Sequence, residues 1–172
     1  MYHCHLCIYL TGHWNNTFKI IREMLPLGAF THEFLESDRP KPELASKADL
    51  ILAGFEDLDI DLREALAALA SGKKKACELI LLADREQIAG ITDHLSDITD
   101  IWTMPMGEEE IRFRFLRWQE SCKMRRDFWQ TSQYLEATIN NVPNLVWYKD
   151  KNGIHKKVND SFCRTVNKTK AQ

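Results

Sequence analysis

Residues 48–59, ADLILAGFEDLD, and residues 77–86, CELILLADRE, decide the fold. Each carries a short unbroken apolar run, Leu50 to Ala53 and Leu79 to Ala83, with Asp49 or Glu78 before it and Gly54 or Asp84 after it. A strand with one wet face alternates apolar and polar residues, whereas a strand covered on both faces does not, and parallel sheets are built of the second kind. Leu6 to Leu10 and Ile101 to Met104 repeat the pattern. Phe30 to Leu35 differs: Phe30, His32 and Phe34 alternate with polar neighbours, which places this strand nearer a sheet edge.

Helical patterns lie between these runs. Trp14, Phe18, Ile21 and Leu25 fall close to the 3.6-residue period, as do Leu62, Ala65, Leu66 and Leu69. Shorter helical segments are expected around Pro42 to Lys47 and from Arg85 to Leu95, the latter interrupted by Gly90. Strand and helix alternate throughout, so with right-handed crossovers the fold class is α/β: a five-stranded, doubly wound parallel sheet.

The last helix of this set starts near Gly107, where Glu108, Glu109 and Glu110 oppose the positive end of the helix dipole. Ile111, Phe115 and Trp118 are expected to pack on the sheet. Helical composition then continues with neither Gly nor Pro as far as Val142, a helix of roughly 50 Å at 1.5 Å per residue. Met124, Phe128, Thr131, Leu135, Thr138 and Val142 are spaced by alternating steps of four and three, as the seam positions of a coiled coil are. Self-association through Met124, Phe128 and Leu135 is the expectation, hence a homodimer.

The formal net charge of −2 gives no overall electrostatic reason for a nucleic-acid or anionic-membrane partner. No apolar run approaches the roughly 20 residues of a membrane helix, and the first residues lack the basic and small-residue marks of a signal peptide, so a cytoplasmic chain is expected. Five scattered Cys do not make a disulfide framework. Cys4 and Cys7, flanked by His3 and His5, could suggest a metal site. On one strand, however, they would point to opposite faces, which suits burial better than shared coordination. No metal, cofactor or catalytic set is expected: phosphate loops, nucleophile elbows and paired-ligand helices are all missing from the sequence. His13, close after the first strand, is the imidazole worth following.

Over roughly residues 3 to 120, the order of elements together with ADLILAGFEDLD, CELILLADRE and DIWTMPM (100–106) resembles the response-regulator receiver family. The resemblance implies a Mg²⁺-binding acidic pair after strand one, a phosphate-accepting Asp at the end of strand three, a Thr or Ser ending strand four and a Lys-Pro after strand five. The matching positions here are Leu10, Thr11 and Gly12, then Gly54, then Leu82, then Met104 with Pro105. Mg²⁺ requires hard oxygen ligands and a phosphoryl group requires a carboxylate nucleophile, so this set is degenerate, a pseudo-receiver. The alternative is a displaced acid, Asp57, Asp59 or Asp49, standing in as acceptor; a further alternative is a small-molecule sensor in the strand-end crevice. The resemblance also implies a cis Met104-Pro105 peptide.

Residues 134–172 contain WYKDKNG and, downstream, VNDSFC, and this succession of helix, Pro143, strand, turn and helix resembles the opening of a PAS sensor domain. Asn152-Gly153 suits a two-residue hairpin turn, since both residue types tolerate positive φ, and Asn159 or Asp160 can cap the next helix. The expected organisation is therefore a receiver-like domain (1–120), a connecting helix (121–142) and an incomplete PAS domain (143–172). Such arrangements imply a bacterial signalling protein whose output domain, a diguanylate cyclase or histidine kinase, lies beyond Gln172. The chain itself is expected to be no enzyme, to relay the state of a protein partner or ligand, and not to be phosphorylated.

Overall fold

A computed structural model of the chain describes residues 4–26, 28, 30–55, 61–89 and 96–170. The chain divides into two compact units between Trp118 and Gln119.

The first unit is a parallel sheet of five strands, β1 (Cys4–Gly12), β2 (Phe30–Ser37), β3 (Leu50–Gly54), β4 (Glu78–Ala83) and β5 (Asp100–Thr103), in the order β2-β1-β3-β4-β5. Four helices follow the first four strands: α1 (Asn15–Glu23), α2 (Pro42–Ala45), α3 (Leu62–Gly72) and α4 (Arg85–Ala89). The expected continuation of α4 through 90–95 lies outside the described residues. The alternating strand β2 is indeed at an edge, and β1, β3 and β4 are internal and buried on both faces, whereas Ile101 to Met104, expected to be buried in the same way, belongs to the other edge strand, β5, where Asp100 and Thr103 are exposed and Ile101 is half-buried.

Register separates the two faces. Tyr9, Ile51, Ala53, Leu79, Leu81 and Ala83 meet Ala45 of α2 and Ala65, Leu66 and Leu69 of α3. On the other face His32 stands edge-on to Phe115, 5.7 Å between ring centroids, and Glu36 holds Arg22 of α1 at 2.8 and 2.9 Å. Each fully buried Leu or Ile contributes on the order of 1.5–3 kcal/mol, so the sheet core dominates the stability of this unit. Leu25, expected on the apolar face of the first helix, is instead 86% exposed. Helix α1 ends at Glu23, and Pro26 disfavours helical geometry at the residue before it.

Helix α5 (Glu108–Asn141) runs for 34 residues. Glu108 pairs with Arg112 at 2.6 Å and Glu110 with Arg114 at 2.9 Å, each one turn on, adding about 0.2–0.5 kcal/mol per pair. Ile111, Phe115 and Trp118 are buried, as their spacing predicts.

In the second unit the later part of α5 is followed by an antiparallel pair, β6 (Trp147–Lys149) and β7 (His155–Val158), and by α6 (Asp160–Val166). Asn159 organises it. Its side-chain amide donates to the carbonyls of Ile139, Val142 and Asn144, while its oxygen accepts from the backbone N–H of Val146 and of Phe162. Asn159 is thus the cap of α6 and the knot between helix end, strand and helix start.

The turn before β7 departs from expectation. Gly153 alone takes positive φ, at 77°, and the connection spans 150–154 rather than two residues. The Asp150 carboxylate accepts from the N–H of Asn152 and of Ile154, and those bonds hold it below the usual carboxylate range. That side-chain bonding favours the longer loop over the tight turn.

Candidate functional site

The carboxyl ends of the strands are where an open α/β sheet places a site. Gly12, Gly54, Leu82 and Trp102 are paired in register across β1, β3, β4 and β5 and share one face. Two adjacent glycines leave a notch, and the indole of Trp14 fills it. A β-carbon built on Gly54 would lie 1.9 Å from Trp14 Cδ1, 2.6 Å from its Nε1 and 2.9 Å from Leu82 Cβ. Gly12 has φ +103°, and a β-carbon there would lie 1.8 Å from the carbonyl oxygen of Gly54. The backbone N–H of His13 donates to that same oxygen at 2.9 Å, clamping the β1–α1 turn over the end of β3.

Position 54 is therefore both without a carboxylate and without room for one. Trp14 Nε1 and His13 Nδ1 are buried here and make no hydrogen bond among the described residues. Thr11 is fully buried, paired with Ser37 across β1 and β2, its hydroxyl oxygen 3.5 Å from that of Ser37. Met104 is buried, its N–H donating to the carbonyl of Ala83 at 2.9 Å, and the peptide to Pro105 is cis. Gly12, Gly54 and Leu82 are brought together, whereas Met104 and Pro105 lie past the end of β5 beside Asp84, Arg85 and Thr103.

Among the described residues, Asp38 and Asp84 stand at this end of the sheet, after β2 and β4. Asp49 precedes β3, at the opposite end of the sheet, where its carboxylate accepts from the backbone N–H of Cys7 at 2.9 Å. Asp84 accepts from the N–H of Gln87 at 2.8 Å and thereby starts α4. Asp57 and Asp59 lie outside the described residues. No group of three or more His, Cys, Asp or Glu side chains among the described residues is placed to hold a metal ion. Cys4 and Cys7 are buried thiols three positions apart on β1. Burial and the nearby Glu33 and Asp49 carboxylates push the Cys7 thiol up.

A crevice of about 550 Å³ does open at the ends of β1 and β2, lined by Leu10, Gly12, Phe18, Arg22, Ser37 and Arg39 among others. Leu82, expected to line a crevice, does not border it, whereas Met104 lines a separate one of about 650 Å³ at the ends of β4 and β5, with Asp84, Arg85, Thr103 and Pro105. On α5 the three seam residues are exposed, Met124 by 63%, Phe128 by 77% and Leu135 by 54%. Trp129 and Tyr134 are exposed too, although neither belongs to the four-three spacing. No helix among the described residues is long and apolar enough to cross a membrane.

Trp14 was the residue hidden from sequence reasoning, which places it on the apolar side of the first helix. The available signal was the pair Gly12 and Gly54 at matching strand ends, an unfilled volume with a large aromatic two residues away.

No protein-family model matches the chain, and no curated protein matches its sequence. Among solved structures, the chain is similar to a CpaE2 pilus assembly protein of Sinorhizobium meliloti, at 11% identity and a TM-score of 0.45, over 61% of this chain and 93% of that one. It is similar also to the pilus assembly protein CpaE of Caulobacter crescentus, at 14% identity and a TM-score of 0.45, over 64% of this chain and 91% of that one. At such identities and scores neither likeness bears on function, and the α/β assignment rests on the order and direction of the five strands in the first unit.

Proposed function

We propose that the chain is a regulatory relay module of a bacterial signalling protein, in which a receiver-like domain that takes no phosphate passes the state of a protein partner along α5 to a PAS domain. The observation that carries this reading is the filled notch: Trp14 occupies the volume in which an acceptor side chain at Gly54 would stand. Without chemistry of its own the domain acts by binding, and the chain is not an enzyme. The continuous α5 and its exposed Met124, Phe128 and Leu135 support self-association, because an apolar stripe left in water is unfavourable and a second copy would bury it. Parallel pairing would set two PAS domains side by side, the arrangement a dimeric output such as a diguanylate cyclase or histidine kinase needs, and helix register or rotation is the bistable element. The setting is cytoplasmic.

Incubation with acetyl phosphate or beryllofluoride and Mg²⁺ should leave the intact mass and the tryptophan fluorescence unchanged. Stoichiometric acid-labile phosphate on any Asp would sink the reading and favour a displaced acceptor.

A second reading, a small-molecule sensor, is favoured by one observation. The crevice at the ends of β1 and β2 combines apolar Leu10 and Phe18 with Arg39 and Lys41, beside Asp38 and an Arg22 already held by Glu36, and the two remaining cations suit a compact ligand carrying an anionic group. Arg39→Ala should abolish ligand-dependent thermal shifts if that reading holds.

A further inference from the structure

We propose that the crevice at the ends of β1 and β2 binds a soluble phosphomonoester whose body carries hydroxyl groups. This deepens the small-molecule reading of the same crevice and rests on it. Arg39 and Lys41 define the anion. Arg39 precedes Pro40, which disfavours helical geometry there, and Lys41 is extended, at φ −126° and ψ 111°. Alternate residues of an extended segment project to one side, and Arg39 and Lys41 both line the crevice while Pro40 does not. No ion pair is seen for either among the described residues, whereas Arg22 is held by both oxygens of Glu36. The segment that carries the two cations is tied to the sheet. The backbone N–H of Lys41 donates to the hydroxyl oxygen of the fully buried Tyr9 at 2.9 Å. The Ser37 hydroxyl, bonded to that of Tyr9, donates to the carbonyl of Arg39 at 2.6 Å. Cations fixed before a ligand arrives lose less freedom on binding it than cations on a loose loop.

Charge and lining select among anions. A phosphomonoester carries about −1.5 to −2 charges at pH 7 and three terminal oxygens, which a planar guanidinium and a separate ammonium can share. A carboxylate or a phosphodiester carries a single charge, which Arg39 alone satisfies. Asn15 of α1 also borders the crevice, and the first turn of that helix holds no acidic residue to oppose an anion. Asp38, on the same lining and without an ion pair among the described residues, does oppose the phosphate. Its carboxylate accepts hydrogen bonds and donates none, so it suits hydroxyl groups on the body of the ligand. Leu10 and Phe18 are only 1% and 5% exposed, a buried floor beneath the polar walls of Asn15, Ser37, Asp38, Arg39 and Lys41. An apolar body would leave those walls without partners, whereas a hydroxylated one pairs with them.

Titration calorimetry on the full chain at low salt, with ribose 5-phosphate and glycerol 3-phosphate as probes, tests the assignment. Saturable binding of at least one is expected, weakened about tenfold or more by Arg39→Ala and by Lys41→Ala. Both positions are exposed, and an unchanged circular dichroism spectrum will show the fold intact. The methyl diester of the same phosphate should bind about tenfold more weakly, and ribose itself should not bind. Asp38→Asn should tighten binding of inorganic phosphate while lowering the preference for the ester over it; an undiminished preference would overturn the assignment of the hydroxyl groups. Gluconate binding as tightly as the esters, with the dependence on Arg39 kept, would overturn the phosphomonoester class and leave the small-molecule reading standing. Ester binding unmoved by substitution at Arg39 and Lys41, or no binding of any of these anions, would overturn both. Tighter binding of phosphatidic acid vesicles than of glycerol 3-phosphate would also overturn the proposal, because a lipid headgroup would then be the source of the phosphate.

Discussion

At Gly54 the main chain and the Trp14 indole compete for one volume, and side-chain substitution there should read out that competition. Gly54→Ala should cost about 2–4 kcal/mol, because a β-carbon at 1.9 Å from an aromatic carbon forces the indole out. Trp14→Ala should cost about 2 kcal/mol through lost packing, and the double variant should cost less than the sum by about 1 kcal/mol or more, measured by denaturant unfolding. Strict additivity would mean that the two groups do not meet. A second residue-scale outcome concerns Cys77, whose thiol burial pushes up to about 12, Lys73 opposing and Asp49 reinforcing the shift. Cys163, only half-buried, should therefore react with a disulfide reagent at pH 8 on the order of 100-fold faster than Cys77. Because the folded thiol titrates above its unfolded value of 9.0, the stability linked to it is fully present below pH 9 and is lost as the pH rises towards 12. Cys77→Ala should flatten the decline of the melting temperature across that window.

The elements differ in how plainly they were written. β1, β3 and β4 were legible because burial on both faces leaves no polar residue to blur the run, and β2 because its alternation marks one wet face, but the edge place of β5 was not, since Ile101 and Trp102 in so short a strand read like a buried run. Helix α5 was legible from Gly107 to Val142, to within a residue of its observed ends, because neither Gly nor Pro intervenes. The α1 end and the hairpin turn were not, since each is decided by a local competitor, Pro26 in one case and the Asp150 carboxylate in the other. The filling of the strand-end notch was the least legible feature: it depends on a residue of the β1–α1 turn reaching across to β3, a contact that no periodicity encodes. Asn159 was readable as a cap but not as a knot. Asn159→Ala removes one side chain that serves five backbone groups, and should destabilise the second unit by about 2–4 kcal/mol, seen as faster hydrogen exchange at Val146 and Phe162 while the sheet amides of the first unit keep their protection.

For the whole molecule, the relay reading predicts a concentration-dependent mass. Light scattering at tens of micromolar should give a dimer, and Phe128→Glu with Leu135→Glu should give a monomer whose first unit still unfolds cooperatively. A monomeric unsubstituted chain, or a first unit unfolded by those changes, would assign the stripe to an intramolecular core. The strand-end notch also bears on descent. Gly12, Trp14 and Gly54 exclude one another's alternatives: a side chain at Gly12 meets the Gly54 carbonyl, and a side chain at Gly54 meets the indole. A lineage carrying this trio reaches an acidic residue at position 54 only through intermediates that have first given up packing or accepted a clash. Each such intermediate is selected against for stability before any gain in chemistry can appear, so a phosphate acceptor at position 54 is closed to single substitutions, and the three positions should drift together or not at all.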